Sequence, residues 1–197
     1  MNRLAMILML GTTLFGCSST SSGGDAPAKP SAAGTWRTDC QASTANGQTS
    51  YLTYEISDRT SPPRFTVTAF GDAACTTPLF AIGNASVRTV GAAVDAPGAF
   101  ELDIAFQELF VTPLASGAIP ILAGAGCGND LTVGVEKDVS ATGCLFFKPI
   151  SECAGDYDIV KVSGDELFNG VRGGNQCVPA GRPKALNAFS FHRVKGG

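Results

Sequence analysis

The sequence predicts an all-β domain, a single antiparallel β-barrel or half-barrel of roughly eight to ten strands with disulfides. Three observations carry this. Apolar residues recur with period two in segment after segment, which is the pattern of half-buried strands. The chain holds 24 glycines and 11 prolines, a composition that suits many short strands joined by tight turns. Six cysteines remain for pairing once the N-terminal region is set aside.

Taken in order, the chain begins with Arg3 and an apolar run from Leu4 to Phe15, which is too short to span a bilayer comfortably. Leu14-Phe15-Gly16-Cys17 closes it. This stretch resembles the lipobox of bacterial lipoproteins, with an apolar residue three places before the cut and a small one beside it. The resemblance implies a signal peptide over 1–16 and a diacylated Cys17 as the first mature residue, carrying palmitate-type chains. The alternative is an ordinary secretory signal cut between Ser19 and Gly24. Ser18 is not the aspartate that retains lipoproteins at the inner membrane, so the expected location is the cell envelope, lipid-anchored in the outer membrane. One of the 14 basic residues lies in the signal, leaving 13 against 17 acidic ones and a mature net charge of −4. That balance lacks the basic stripe a nucleic-acid binder needs. Membrane attachment therefore rests on lipid, and two chains anchor stably where one does not.

Residues 17–33 read as a lipidated flexible tether, because Ser18 to Ala33 is small, polar and proline-bearing with nothing to bury. Fully extended, it reaches about 50 Å. The β-barrel-like domain is expected over 34–197. Strands are expected at Tyr51–Ile56, Phe65–Phe70, Leu79–Ile82, Ser86–Val90 and Ala99–Gln107. The last is the clearest, with Phe100, Leu102, Ile104 and Phe106 opposite Glu101, Asp103, Ala105 and Gln107. Shorter ones follow at Leu131–Val135, Cys144–Phe147, Tyr157–Val162, Glu166–Asn169 and Ala188–Val194. Ser163-Gly164-Asp165 joins two of these as a compact hairpin. Thr112 to Gly126 carries Pro113, Pro120 and three glycines and reads as a long irregular loop or a broken strand pair. Helix signals are nearly absent.

Cys40, Cys75, Cys127, Cys144, Cys153 and Cys177 form an even set in an exported chain, which implies three disulfides. Six cysteines allow 15 connectivities, and the neighbour-to-neighbour set is the favoured one. Zinc is the competing reading, but no C-x-x-C pair exists and the one histidine is His192. No metal or cofactor is expected.

Gly34-Thr35-Trp36 in the first strand and Arg193 in the last are similar to the G-x-W and closing arginine of lipocalin-like barrels. There the arginine packs across the tryptophan ring and helps to close the barrel base. A longer string runs through Cys40, then Asp72-Ala73-Ala74-Cys75-Thr76-Thr77-Pro78, Leu167-Phe168-Asn169-Gly170 and Arg182-Pro183. Its order resembles the extracellular domain of the adenomatosis polyposis coli down-regulated proteins. That resemblance implies an open, lipocalin-like half-barrel, a disulfide between the first two cysteines, and a cavity for an acyl chain.

Eleven phenylalanines remain after the signal. Phe65, Phe100, Phe106, Phe147, Phe189 and Phe191 are expected to point inward. They either fill a packed core or line an apolar cavity. For the cavity, Phe65, Phe100, Leu102, Ile104 and Phe106 are the expected ligand-binding residues. No catalytic motif is present: there is no G-x-S-x-G, no H-E-x-x-H and no phosphate loop. Ser190/His192 and Asp156/Asp158 are each two apart on strands, where the first could act as a Ser–His pair and the second as paired carboxylates for hydrolysis or Ca²⁺. The plainer readings are solvent-facing residues for the first pair and a solvated strand start for the second. The expected role is non-enzymatic, the binding of an apolar or fatty-acid ligand. A structural or protein-interaction lipoprotein with a solid core is the alternative.

Overall fold

The computed structural model describes residues 28–195 except residue 46. The expected signal peptide and Cys17 lie outside the described residues, as does the tether up to residue 27. Ten strands form one antiparallel sheet: β1 (Trp36–Arg37), β2 (Gln41–Ala45), β3 (Gln48–Ser57), β4 (Arg64–Phe70), β5 (Pro78–Ala93), β6 (Phe100–Pro113), β7 (Lys137–Asp138), β8 (Gly155–Ser163), β9 (Glu166–Asn169) and β10 (Phe191–Arg193). Eight of them close a ring in the order β1-β10-β9-β8-β6-β5-β4-β3. The closing step is β1, in which Trp36 lies opposite both Arg193 of β10 and Ile56 of β3. β2 extends the sheet from β3, and β7 pairs with β6. Closure leaves the eight ring strands no free edge along the paired segments.

The register fixes which side chains enter the barrel. Tyr54 faces Val67, Val67 faces Ile82, and Ile82 faces Val111, so all four point inward. Leu79–Ile82 and Ser86–Val90, expected as separate strands, belong to the one long β5. β6 continues six residues beyond Gln107 by means of a bulge: Ala85 lies opposite Glu108 while Ser86 lies opposite Phe106. The extra residue, Gln107, switches the inward set from even to odd positions. Phe106, Leu109 and Val111 are all buried as a result.

Past Pro113 the expected irregular loop is in part helical. α1 (Ala118–Leu122) continues into a looser helical turn, Ala123–Cys127, and buries Ala118 and Leu122 against Leu109 and Val111. Pro120 sits in the first turn, where its missing N–H is not needed. Leu131–Val135 is not a strand, and Cys144–Phe147 is reduced to one isolated bridge. These residues serve instead as a plug: Leu131, Val139 and Cys144 are buried in the same cluster as the helix.

Disulfides join Cys40 to Cys75, Cys127 to Cys144 and Cys153 to Cys177. The second ties the plug to itself, and the third ties the start of β8 to the C-terminal loop. The core is thus two packed clusters. One is the plug with Val67, Ile82, Phe106, Leu109 and Val111. The other gathers Trp36, Ile56, Phe100, Leu102, Val160, Leu167 and Phe191.

Candidate functional site

Space remains between the two clusters. A cavity of about 260 Å³ is lined by Tyr54, Ile56, Phe65, Leu102, Ile104, Phe189 and Phe191, together with Asn84, Arg88 and Asn169. A second, of about 270 Å³, lies toward Ala32–Gly34 and is lined by Val90, Val160, Leu167 and Pro63. Ile56, Arg88, Leu102 and Asn169 border both. Each is slightly smaller than the roughly 300–1,000 Å³ usual for small-molecule sites.

The Trp36 end is strapped shut. Trp36 is 0% exposed, and the Arg193 guanidinium carbon lies 4.0 Å above its ring. The Trp36 Nε1 donates to the Ala32 carbonyl at 2.9 Å, and Arg193 Nη1 donates to the Ala33 carbonyl at 2.9 Å. Gly34 between them has φ +115°, and a Cβ there would come within 2.9 Å of Arg193 Nη1. Ala32 and Ala33, expected in the free tether, are therefore held against the barrel by the ring and cation they serve.

The inward face of β5 is polar over its middle. Asn84, Ser86 and Arg88 follow one another into the barrel, while Val87 points out and is 51% exposed. Register imposes this: Asn84 faces Phe65 on one side and Leu109 on the other. Among the described residues, Asn84 Oδ1, Ser86 Oγ, Arg88 Nε and Asn169 Oδ1 are buried without a hydrogen-bond partner in the protein. Burial lowers the Arg88 pKa to about 10, which still leaves it charged at neutral pH.

Asp156 and Asp158 also point inward, opposite Ile104 and Leu102, and are not a solvated strand start. Asp156 pairs with Arg172 at 2.7 Å beside the first cavity. Asp158 is 1% exposed, and its Oδ1 accepts from the Ile159 amide at 2.7 Å and the Gly170 amide at 3.0 Å. A Cβ at position 170 would sit 2.6 Å from that same oxygen, so glycine permits the contact. Desolvation raises the Asp158 pKa against the pull of these amides and of Arg172. Desolvation likewise raises the Tyr54 pKa, with Arg172 opposing.

Of the expected ligand-binding residues, Phe65, Leu102 and Ile104 line the first cavity. Phe100 and Phe106 do not: each belongs to a packed cluster. Phe106 meets Phe147 edge-on at 6.1 Å between ring centroids. Ser190 and His192 are on the outside, where Ser190 Oγ is 3.0 Å from Glu166 Oε1 and His192 Nε2 is 3.9 Å from Asp39. The site residues missed from sequence are Asn84, Arg88 and Asn169. Their signal was present at positions 84, 86 and 88, three polar side chains at period two, but it pointed to an outer face.

No protein-family model matches the chain, and no curated protein matches it.

Two outlying arginines complete the frame of the site. Arg182 donates to the Asp158 carbonyl at 2.6 Å and to Asp103 at 2.6 Å, pinning the C-terminal loop across β6 and β8. Arg64 lies 3.8 Å above the Phe110 ring and pairs with Glu136 at 2.5 Å, holding the plug segment to β4. Asp72 organises the turn that carries Cys75, accepting from the amides of Ala74, Thr76 and Thr77. Desolvation pushes its pKa up, but the bonds from Thr76 and Thr77 outweigh this and bring it to about 2.

Proposed function

We propose that this protein is a lipid-anchored envelope protein that binds an acyl or otherwise apolar ligand inside its barrel, without catalysis. The single observation that supports ligand binding is the unfilled space between the two core clusters, walled by Tyr54, Ile56, Phe65, Leu102, Ile104, Phe189 and Phe191. An eight-stranded barrel is just wide enough for side chains to fill. Here polar β5 residues and glycine at Gly170 stand where larger apolar groups would complete a solid core. The lipobox-like Leu14–Cys17 stretch supports the anchor, and the outer membrane is the location it favours. The resemblance to the adenomatosis polyposis coli down-regulated domain points to an acyl chain as ligand.

Binding is tested by titrating the folded, disulfide-intact protein with a fluorescent fatty acid, alongside native mass spectrometry of protein purified without delipidation. Saturable binding at one site, or a co-purifying lipid mass, is expected. No saturable binding by any acyl probe would leave the solid-core interaction protein as the reading.

A further inference from the structure

Arg88 is the one arginine that borders both cavities, and it has no carboxylate within ion-pair distance among the described residues. The carboxylates nearest the cavities do not pair with it. Asp156 is paired with Arg172, Asp58 accepts from the Gly34 amide at 2.6 Å, and Asp158 Oδ1 is held by two amides while its Oδ2 is buried without a partner. Its Nε is buried without a hydrogen-bond partner, and burial lowers the Arg88 pKa. A buried guanidinium without a counter-charge is costly. Such a group is matched by an oxyacid, to which it donates two parallel hydrogen bonds. The carboxamides of Asn84 and Asn169 border the same space, each with an NH₂ donor to offer beside an acceptor. The rest of the wall is mixed, with apolar side chains beside the paired Asp156 and Arg172 in the first cavity, and each cavity is too small for a ligand with two long chains.

We infer that the ligand is a single-chain amphiphile with a terminal oxyanion, a carboxylate or a phosphate monoester, and that Arg88 receives its head inside the barrel while Asn84 and Asn169 orient it. This inference rests on the acyl-binding reading and specifies the chemistry of the head. It places the charge at the border that the two cavities share.

The test compares dodecanoate, dodecyl phosphate, dodecanol and dodecylamine as displacers of a fluorescent fatty acid from the wild-type protein, with acetate as a chainless control. At least one of the two anions is expected to bind about tenfold or more tighter than the alcohol, and the tighter of them identifies the head. Acetate should not displace the probe. Arg88→Gln is expected to abolish the preference for the anion over the alcohol, whereas Arg88→Lys keeps most of the preference. Should Arg88→Gln fail to fold, the wild-type series decides. Equal affinity for anions and alcohol overturns the head-group assignment and leaves acyl binding in place. Displacement by acetate at comparable concentration overturns the amphiphile. No binding of any chain overturns the acyl-binding reading, and this inference with it.

Discussion

Trp36 is where a perturbation reads out barrel closure most directly. Its side chain is fully buried and carries Arg193 on its ring at 4.0 Å. A buried tryptophan removes about 150–250 Å² from water, which at about 25 cal/mol per Å² is worth about 4–6 kcal/mol. Truncation to alanine in other cores costs about 3–5 kcal/mol, so Trp36→Ala is expected in that range. For a domain of this size each kcal/mol shifts the melting temperature by about 2–4 °C, giving a fall of roughly 10 °C. Arg193→Ala loses the contact with the ring and the bond to the Ala33 carbonyl. With its side chain 34% exposed, about 1–2 kcal/mol is expected. Because Arg193 and Trp36 touch, the double variant should fall short of the sum by about 1 kcal/mol. Urea denaturation with disulfides intact measures all four corners of the cycle. Additivity within about 0.5 kcal/mol would refute the closing contact, as would a Trp36→Ala variant that loses under about 1 kcal/mol.

Four further outcomes are expected. Asp158 has a raised pKa, so the native state holds its proton more tightly than the unfolded chain and stability falls as pH rises above about 4. Melting of Asp158→Asn against wild type at pH 4 and pH 7 should favour the variant more at pH 7 (about 4 and 7 being the unfolded carboxylate value and neutrality), and a pH-independent difference would contradict the burial argument. Phe106→Ala should cost about 3–4 kcal/mol by denaturation while leaving acyl binding intact, since the ring packs on Phe147 and lines neither cavity. Replacing Cys153 and Cys177 together by alanine opens a loop of 24 residues, for which about 3 kcal/mol of lost stability is expected in chemical unfolding. Cys17→Ala should abolish radioactive palmitate labelling and release the protein from membranes, and continued labelling would remove the anchor.

Much of the strand content was open to reading from residue order. Glu166–Asn169 begins and ends as the alternation says, and Ser163 pairs with Glu166 across the expected hairpin. An even cysteine number, with export expected from the N-terminal stretch, implied three disulfides, and closeness in sequence favoured the pairs observed, because short loops bring their ends together at the least entropic cost. Trp36 and Arg193 were legible only through their likeness to the G-x-W and closing arginine of lipocalin-like barrels, and the guanidinium does lie over the ring.

The interior was decided only by the tertiary structure. Period two tells which residues share a face, not which face is inside, and in the middle of β5 the apolar rule selects the wrong one. Val87 looks inward by type and is outside; Asn84, Ser86 and Arg88 look outward and are within, because β4 and β6 fix their register over residues far away in the chain. The bulge at Gln107 is equally invisible locally, since it exists only as a mismatch between two strands. Thr112 to Gly126 reads as a loop from its prolines and glycines, and it becomes helical where Ala118 and Leu122 find Leu109 and Val111 to cover. Local propensity sets what a segment tolerates; the long-range partners that bury it determine what it becomes.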